Sequence, residues 1–165
     1  MASLICSKRK WIFVHPPRTG GTSVARAIGP IFSGPPVPKH FRLWEMDVEP
    51  SEFFKFMTVR NPWVRVASTI AWYEAHKVPG GIERAVCYSL PLEEFGLPKM
   101  DFVLRCEQLQ QDFSALCVRL GIVEPRLGRY SHYARKPYRE YFDEHWRDVV
   151  AKRYADEINR FGYEF

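Results

Sequence analysis

No run in this 165-residue chain comes near the roughly 18 consecutive apolar residues that a membrane-spanning helix needs. No membrane span is therefore expected. The N-terminus carries charges but no apolar stretch of the length a secretory leader uses. There is no long Lys/Arg run. The densest cluster is Lys8-Arg9-Lys10, whereas a nucleic-acid footprint is more often a basic stripe along a helix. No nucleic-acid partner is expected. Cysteine is sparse: Cys6, Cys87, Cys106 and Cys117 fit no zinc spacing. Three of them lie in apolar surroundings, where a free thiol behaves as a small core hydrophobe. That usage predicts a reduced, cytoplasmic protein. The histidines do not cluster, so no metal ion is expected.

What remains is an ordinary globular composition, with 46% hydrophobic residues and a net charge of +5. The length favours one domain over 1–165. A basic balance attracts anions: nucleic acid, an anionic membrane surface or a phosphorylated ligand. Trp11 to His15 reads as a short buried strand bounded by Pro16-Pro17. Thr22 to Ile28 reads as a helix stopped at Gly29-Pro30. Phe54 to Val59 is a second strand, and Pro62 opens a helix running to about His76. A short helix follows from Ile82. Asp101 to Leu104 is a third strand, and Glu107 to Leu120 a helix closed by Gly121. A last helix begins near Tyr138 or Phe142 and ends before Gly162. Strands alternating with helices predict a parallel sheet.

Two strand-to-helix turns carry the chemistry. In "WIFVHPPRTGGTSV", residues 11–24, a strand turns through glycines into a helix. Backbone N–H groups of such a turn, helped by the helix dipole, cradle an anion. Gly20 and Gly21 permit positive φ and close approach. Thr19, Thr22 and Ser23 bring hydroxyls, and Arg18 brings a fixed cation with several donors. The Walker A pattern is missing, because no Gly-Lys pair is present. The plain alternative is a connection with no ligand. In the second turn, R-N-P-x-x-R-x-x-S, Arg60 ends a strand while Arg65 and Ser68 follow on the helix. Arginine suits bidentate contact with phosphate; the alternative for Arg65 is a salt bridge. Two anion cradles imply a nucleotide with a 5′ anionic chain and a further phosphate on the ribose.

Four blocks in order resemble the PAPS-dependent sulfotransferases, most of all the carbohydrate-type branch that includes the uronyl 2-O-sulfotransferases. "FVHPPRTGGTS" resembles the 5′-phosphosulfate loop, usually written HIPKTGGTS. "FKFMTVRNPWVRVAST" resembles the 3′-phosphate loop and helix. "DFVLRCEQLQQDFSALCVRLGI" resembles the R-x-E-x-L block, and residues 131–165 resemble the C-terminal end down to F-G-Y-x-F. The resemblance implies a single sulfotransferase-like domain over 1–165. It also implies a three-layer α/β fold, a parallel sheet flanked by helices of the P-loop nucleotide-hydrolase type. The activity implied is sulfuryl transfer from PAPS to a hydroxyl of a saccharide or glycoconjugate.

Arg18 stands where the family usually has the lysine that holds the bridging oxygen and sulfonyl group. Thr19, Gly20, Gly21, Thr22 and Ser23 match the 5′ loop, and Arg60 and Ser68 the 3′-phosphate pair. His40 falls where the 2-O-type enzymes carry a histidine thought to be the base. Arg105 and Glu107 match the R-x-E. Ser131 and Arg135 match a loop that closes near the nucleotide, and His132 is a second candidate base. His15 reads as structural, orienting the turn. Trp44, Trp63 and Trp72 are candidate sugar-stacking faces, with packing the favoured alternative for each, and Trp11 is a core residue.

Two departures stand out. Arginine replaces the usual lysine at position 18, which changes reach and geometry. The segments between Gly29 and His40, and between His76 and Asp101, are short for the family. They predict a shallow acceptor site, or one completed by a second copy in a homodimer. The competing readings are a magnesium-dependent nucleotide phosphotransferase and a non-enzymatic module that binds anions or sulfated glycans.

Overall fold

The structure, a computed structural model, describes residues 3–32, 40–128, 130, 133 and 136–165. In chain order the regular elements are β1 (Leu4–Cys6), β2 (Trp11–Val14), α1 (Gly21–Ile28), β3 (Phe54–Val59), α2 (Pro62–Ala75) and α3 (Ile82–Tyr88). They continue with β4 (Phe102–Arg105), α4 (Leu109–Leu120), α5 (Glu144–Arg153) and α6 (Ala155–Phe161). The chain divides into two compact units. The first comprises Met1–Val59 and Leu92–Ser131, the second Arg60–Pro91 and His132–Phe165.

The first unit holds a four-stranded sheet in the order β1-β2-β3-β4. The pairs β2–β3 and β3–β4 are parallel, with Phe13 beside Phe56 and Phe56 beside Phe102. The pair β1–β2 is antiparallel, with Leu4 opposite Phe13 and Cys6 opposite Trp11. This corrects the expected fold. The sheet is small, mixed and open, flanked by helices, and not the parallel P-loop-type sheet that the alternation and the resemblance predicted. The physical reason lies in the first ten residues. Leu-Ile-Cys is too short to show a period, and Lys8-Arg9-Lys10, read as a charge cluster, belongs to the turn of a hairpin. Such a turn can join antiparallel neighbours only. Lys10 takes the left-handed conformation there, at φ 54°.

One face of this sheet is packed by helices. Cys6, Trp11, Phe13, Phe56 and Leu104 meet Val24, Ala25 and Ile28 of α1 and Phe113, Leu116, Cys117 and Leu120 of α4. Phe13 and Phe56 lie with ring centroids 5.3 Å apart. Burying each such side chain contributes roughly 1.5–3 kcal/mol. The predicted helix from Glu107 begins as a 3₁₀ turn over Cys106–Gln108 and becomes α-helical at Leu109. It stops at Gly121, which takes the left-handed conformation (φ 62°).

The second unit is helical. Its core joins Trp63, Val66, Ile70 and Tyr73 of α2 to Ala85 and Val86 of α3, with Val150 and Tyr154. The single last helix expected from the sequence is two, broken at Tyr154 (φ −116°). No Pro or Gly marks the break. The Tyr154 ring is buried, and its hydroxyl reaches the Val86 and Ser89 carbonyls at 3.0 and 2.5 Å. Burial raises the pKa of this phenol, opposed by the charge of Arg65. The aromatics before α5 pack here as well: Tyr138 and Phe142 each set a ring edge against Phe165, at 5.8 Å.

Candidate functional site

The first loop is built from behind. Val14 ends β2, and His15, Pro16 and Pro17 carry the chain, buried, to Arg18. Arg18 stands in the left-handed region (φ 63°), and Gly20 follows with φ 86° as the N-cap of α1. No side chain caps α1, and its first turn has no acidic residue. The partial positive charge of the helix start is therefore not neutralised by a local carboxylate. Thr19 is fully buried. Its Oγ1 donates to the Pro16 carbonyl at 2.8 Å, so the 2.6 Å contact with Thr58 must be donated by Thr58. The Thr19 hydroxyl thus ties the turn to β3 and is committed inside the loop. Thr22 is half-buried and Ser23 buried.

The two glycines have different reasons. Gly20 needs its left-handed backbone, and a Cβ there would lie 3.1 Å from Cys106 Sγ. Gly21 is helical, but a Cβ on it would fall 2.2 Å from Cδ2 of His15. The His15 ring therefore occupies the room that a side chain at 21 would need. Gly21→Ala is expected to destabilise the protein by about 1–3 kcal/mol, the usual cost of overpacking. In a urea-denaturation double-mutant cycle, His15→Ala should remove most of that penalty. Additive losses would refute the contact as the cause.

His40 sits beside this loop. Its backbone is left-handed (φ 61°), and its ring lies edge-on to that of His15, centroids 5.0 Å apart. Nδ1 is 2.8 Å from the His15 carbonyl. A carbonyl can only accept, so Nδ1 carries the proton and the neutral ring keeps its lone pair on Nε2. The structure thus brings together His15, the Arg18–Ser23 turn and His40 within the first unit.

In the second unit, Asn61 caps α2. Its Oδ1 accepts from the N–H groups of Trp63 and Val64 at 3.1 and 3.3 Å, and its Nδ2 donates to the Glu164 carbonyl at 2.9 Å. Arg65 is a salt-bridge residue, in a buried setting. Its Nη2 meets Glu157 Oε1 at 3.0 Å, with side chains 1% and 0% exposed. Its guanidinium carbon also lies 5.0 Å from the Tyr154 ring centre. Arg60, the residue after β3, and Ser68 on α2 are both half-buried. Arg105 ends β4, and its N–H donates to Asp112 at 2.6 Å. Glu107 is exposed in the following turn. Arg135, with Ser131 and His132, lies outside the described residues.

Of the candidate sugar-stacking faces, Trp63 is buried and its indole N–H donates to the Arg147 carbonyl at 3.0 Å. Trp72 stacks on His76 at 4.6 Å. Trp44 is 53% exposed, with the Arg42 guanidinium 5.9 Å over its ring. Trp11 is buried in the core of the first unit. Sequence reasoning missed Ser3, Thr58 and Glu157, which hold these residues from other elements. All three are ordinary residue types in unremarked positions, and no local motif singles them out.

A hollow of about 630 Å³ in the second unit is lined by residues 80–84 with Cys87 and Trp146. None of these is a predicted site residue. None of the four cysteines is in a disulfide, and burial pushes the Cys117 thiol up to about 11, with Glu124 adding to the rise. Among the described residues, no group of three or more His, Cys, Asp or Glu side chains gathers as metal ligands. No helix among them is long and apolar enough to cross a membrane. Comparison with known protein families, characterised proteins and solved structures finds no match to the chain.

Proposed function

We propose that this protein binds PAPS and transfers its sulfuryl group to a hydroxyl of a saccharide or glycoconjugate. The observation that carries the reading is the Arg18–Ser23 turn. It is held from behind by Thr19 and His15, and it leads into a helix start with neither side-chain cap nor acidic residue. A loop built this way presents amide donors and one arginine to an anion. Four described non-glycine residues have positive φ, and two of them are Arg18 and His40. Such conformations cost of order 1–3 kcal/mol each and cluster at functional sites.

In this reading the bond from sulfur to the bridging oxygen of PAPS breaks as the bond to the acceptor oxygen forms. The acceptor's proton passes to Nε2 of His40. The negative charge left on the 5′-phosphate is stabilised by Arg18 and the amides of Gly20, Gly21 and Thr22. The Ser23 N–H donates to the Gly20 carbonyl at 3.0 Å, so Ser23 is assigned through its hydroxyl. Thr19 acts by holding the turn. By the resemblance alone, Arg60 and Ser68 are assigned to the 3′-phosphate and Arg135 to the nucleotide. Trp44 offers the exposed face on which a sugar ring would stack.

Titration calorimetry tests the reading. The product nucleotide, 3′-phosphoadenosine 5′-phosphate, is expected to bind much more tightly than AMP or ATP. Arg60→Ala should remove one or two charge-assisted hydrogen bonds, each worth about 1.5–3 kcal/mol, and leave AMP binding unchanged. Equal affinity for AMP and the bisphosphate would sink the two-phosphate argument. Magnesium-dependent transfer from ATP would replace it with a phosphotransferase.

A further inference from the structure

The candidate base is anchored by a residue to which no motif points. Ser3 precedes β1 and is fully buried. Its Oγ accepts the His15 N–H at 3.1 Å and faces the Phe41 carbonyl at 3.4 Å, a long contact that its own proton can make. The end pair of the antiparallel ladder, next to Ser3, is Leu4 with Phe13. The Ser3 hydroxyl therefore takes over from the backbone ladder where β2 gives way to the loop. One residue, His15, is thus gripped on both sides: its N–H by Ser3, its carbonyl by Nδ1 of His40. Ser3 also reaches the residue next to His40 in the chain.

We infer that Ser3 is a positioning residue for His40. It clamps the His15 backbone to the segment that carries the imidazole, and so keeps the proton on Nδ1 and the lone pair on Nε2. This rests on the reading of His40 as the base. The carbonyl of His15 fixes the tautomer only while it stays aimed at Nδ1. An unconstrained imidazole exchanges between its two neutral forms. His40 also holds a left-handed backbone, which an imidazole released from these contacts has reason to leave. A hydroxyl that fixes the acceptor and touches the neighbouring peptide opposes both changes.

The test reads the ring directly. Side-chain ¹⁵N NMR of the labelled full chain, with His40 assigned by comparison with His40→Asn, should show Nδ1 protonated and Nε2 bare in the neutral form. In Ser3→Ala the Nδ1-protonated fraction should fall and the other tautomer appear. Turnover of PAPS should drop by about 5–10-fold, the rate equivalent of one ordinary hydrogen bond, with KM for PAPS unchanged. Ser3→Thr, which keeps a hydroxyl, should restore the tautomer and the rate. A wild-type His40 that is protonated on Nε2 overturns the inference, whether or not any variant folds. So does a Ser3→Ala spectrum identical to that of the wild type. Absence of sulfuryl transfer in the wild type would remove the functional reading alone, since the NMR result stands without it.

Discussion

Alanine at position 40 is expected to lower sulfuryl transfer from PAPS by about 10²–10⁴-fold, the usual contribution of a positioned general base. Binding of 3′-phosphoadenosine 5′-phosphate should stay as it is, because His40 is assigned to the acceptor's proton and not to the nucleotide. The measurement is transfer of labelled sulfuryl across a panel of saccharide acceptors, with calorimetry of the bisphosphate as the control. The expectation rests on Nδ1 being bound to the His15 carbonyl at 2.8 Å, which leaves Nε2 as the proton-accepting atom. Unchanged turnover in His40→Ala would reject the assignment and move it to His132 or Glu107. Loss of turnover together with loss of nucleotide binding would instead make His40 part of the loop's support.

Glu157→Ala is expected to cost about 3–5 kcal/mol of stability, read from the midpoint and slope of urea unfolding. The loss comes from stranding a charge. Arg65 and Glu157 are both buried, with 3.0 Å between Nη2 and Oε1, and a guanidinium without its carboxylate cannot be rehydrated there. The double variant Arg65→Met/Glu157→Leu should recover most of the loss, since an apolar pair of similar volume often matches a buried ion pair. A single-variant loss below about 1 kcal/mol, the range of surface pairs, would show that water reaches the site. The expectation also separates Arg65 from its neighbours in the R-N-P-x-x-R-x-x-S segment. Arg60 and Ser68 are half-buried, with some of their surface reaching solvent, whereas Arg65 is committed to the helical core.

Much of the architecture follows from local pattern alone. Phe54–Val59 was legible because an apolar run met Arg60 and then Pro62, which suits the first turn of a helix. The end of α4 was legible because Gly121 takes the left-handed cap that other residues resist. Arg18 to Ser23 stood out as a turn for the same kind of reason: glycines and small hydroxyl residues between a strand and a helix. These signals concern the backbone conformation of a few neighbouring residues, and neighbouring residues decide it.

Partners distant in the chain were settled by the tertiary structure. The hairpin that makes the sheet mixed depends on a three-residue strand whose pairing outweighs its weak local signal. Gly21 is required because the His15 ring fills the space beside it. Arg65 finds its carboxylate 92 residues away, and His40 finds its carbonyl 25 residues away. The helix after Asp143 breaks at a tyrosine because that ring is buried and its hydroxyl faces Val86 and Ser89. Periodicity and turn chemistry report what one segment prefers. Which buried polar group meets which partner depends on how separate segments pack, where an unsatisfied charge or a misplaced methyl costs more than any local propensity supplies.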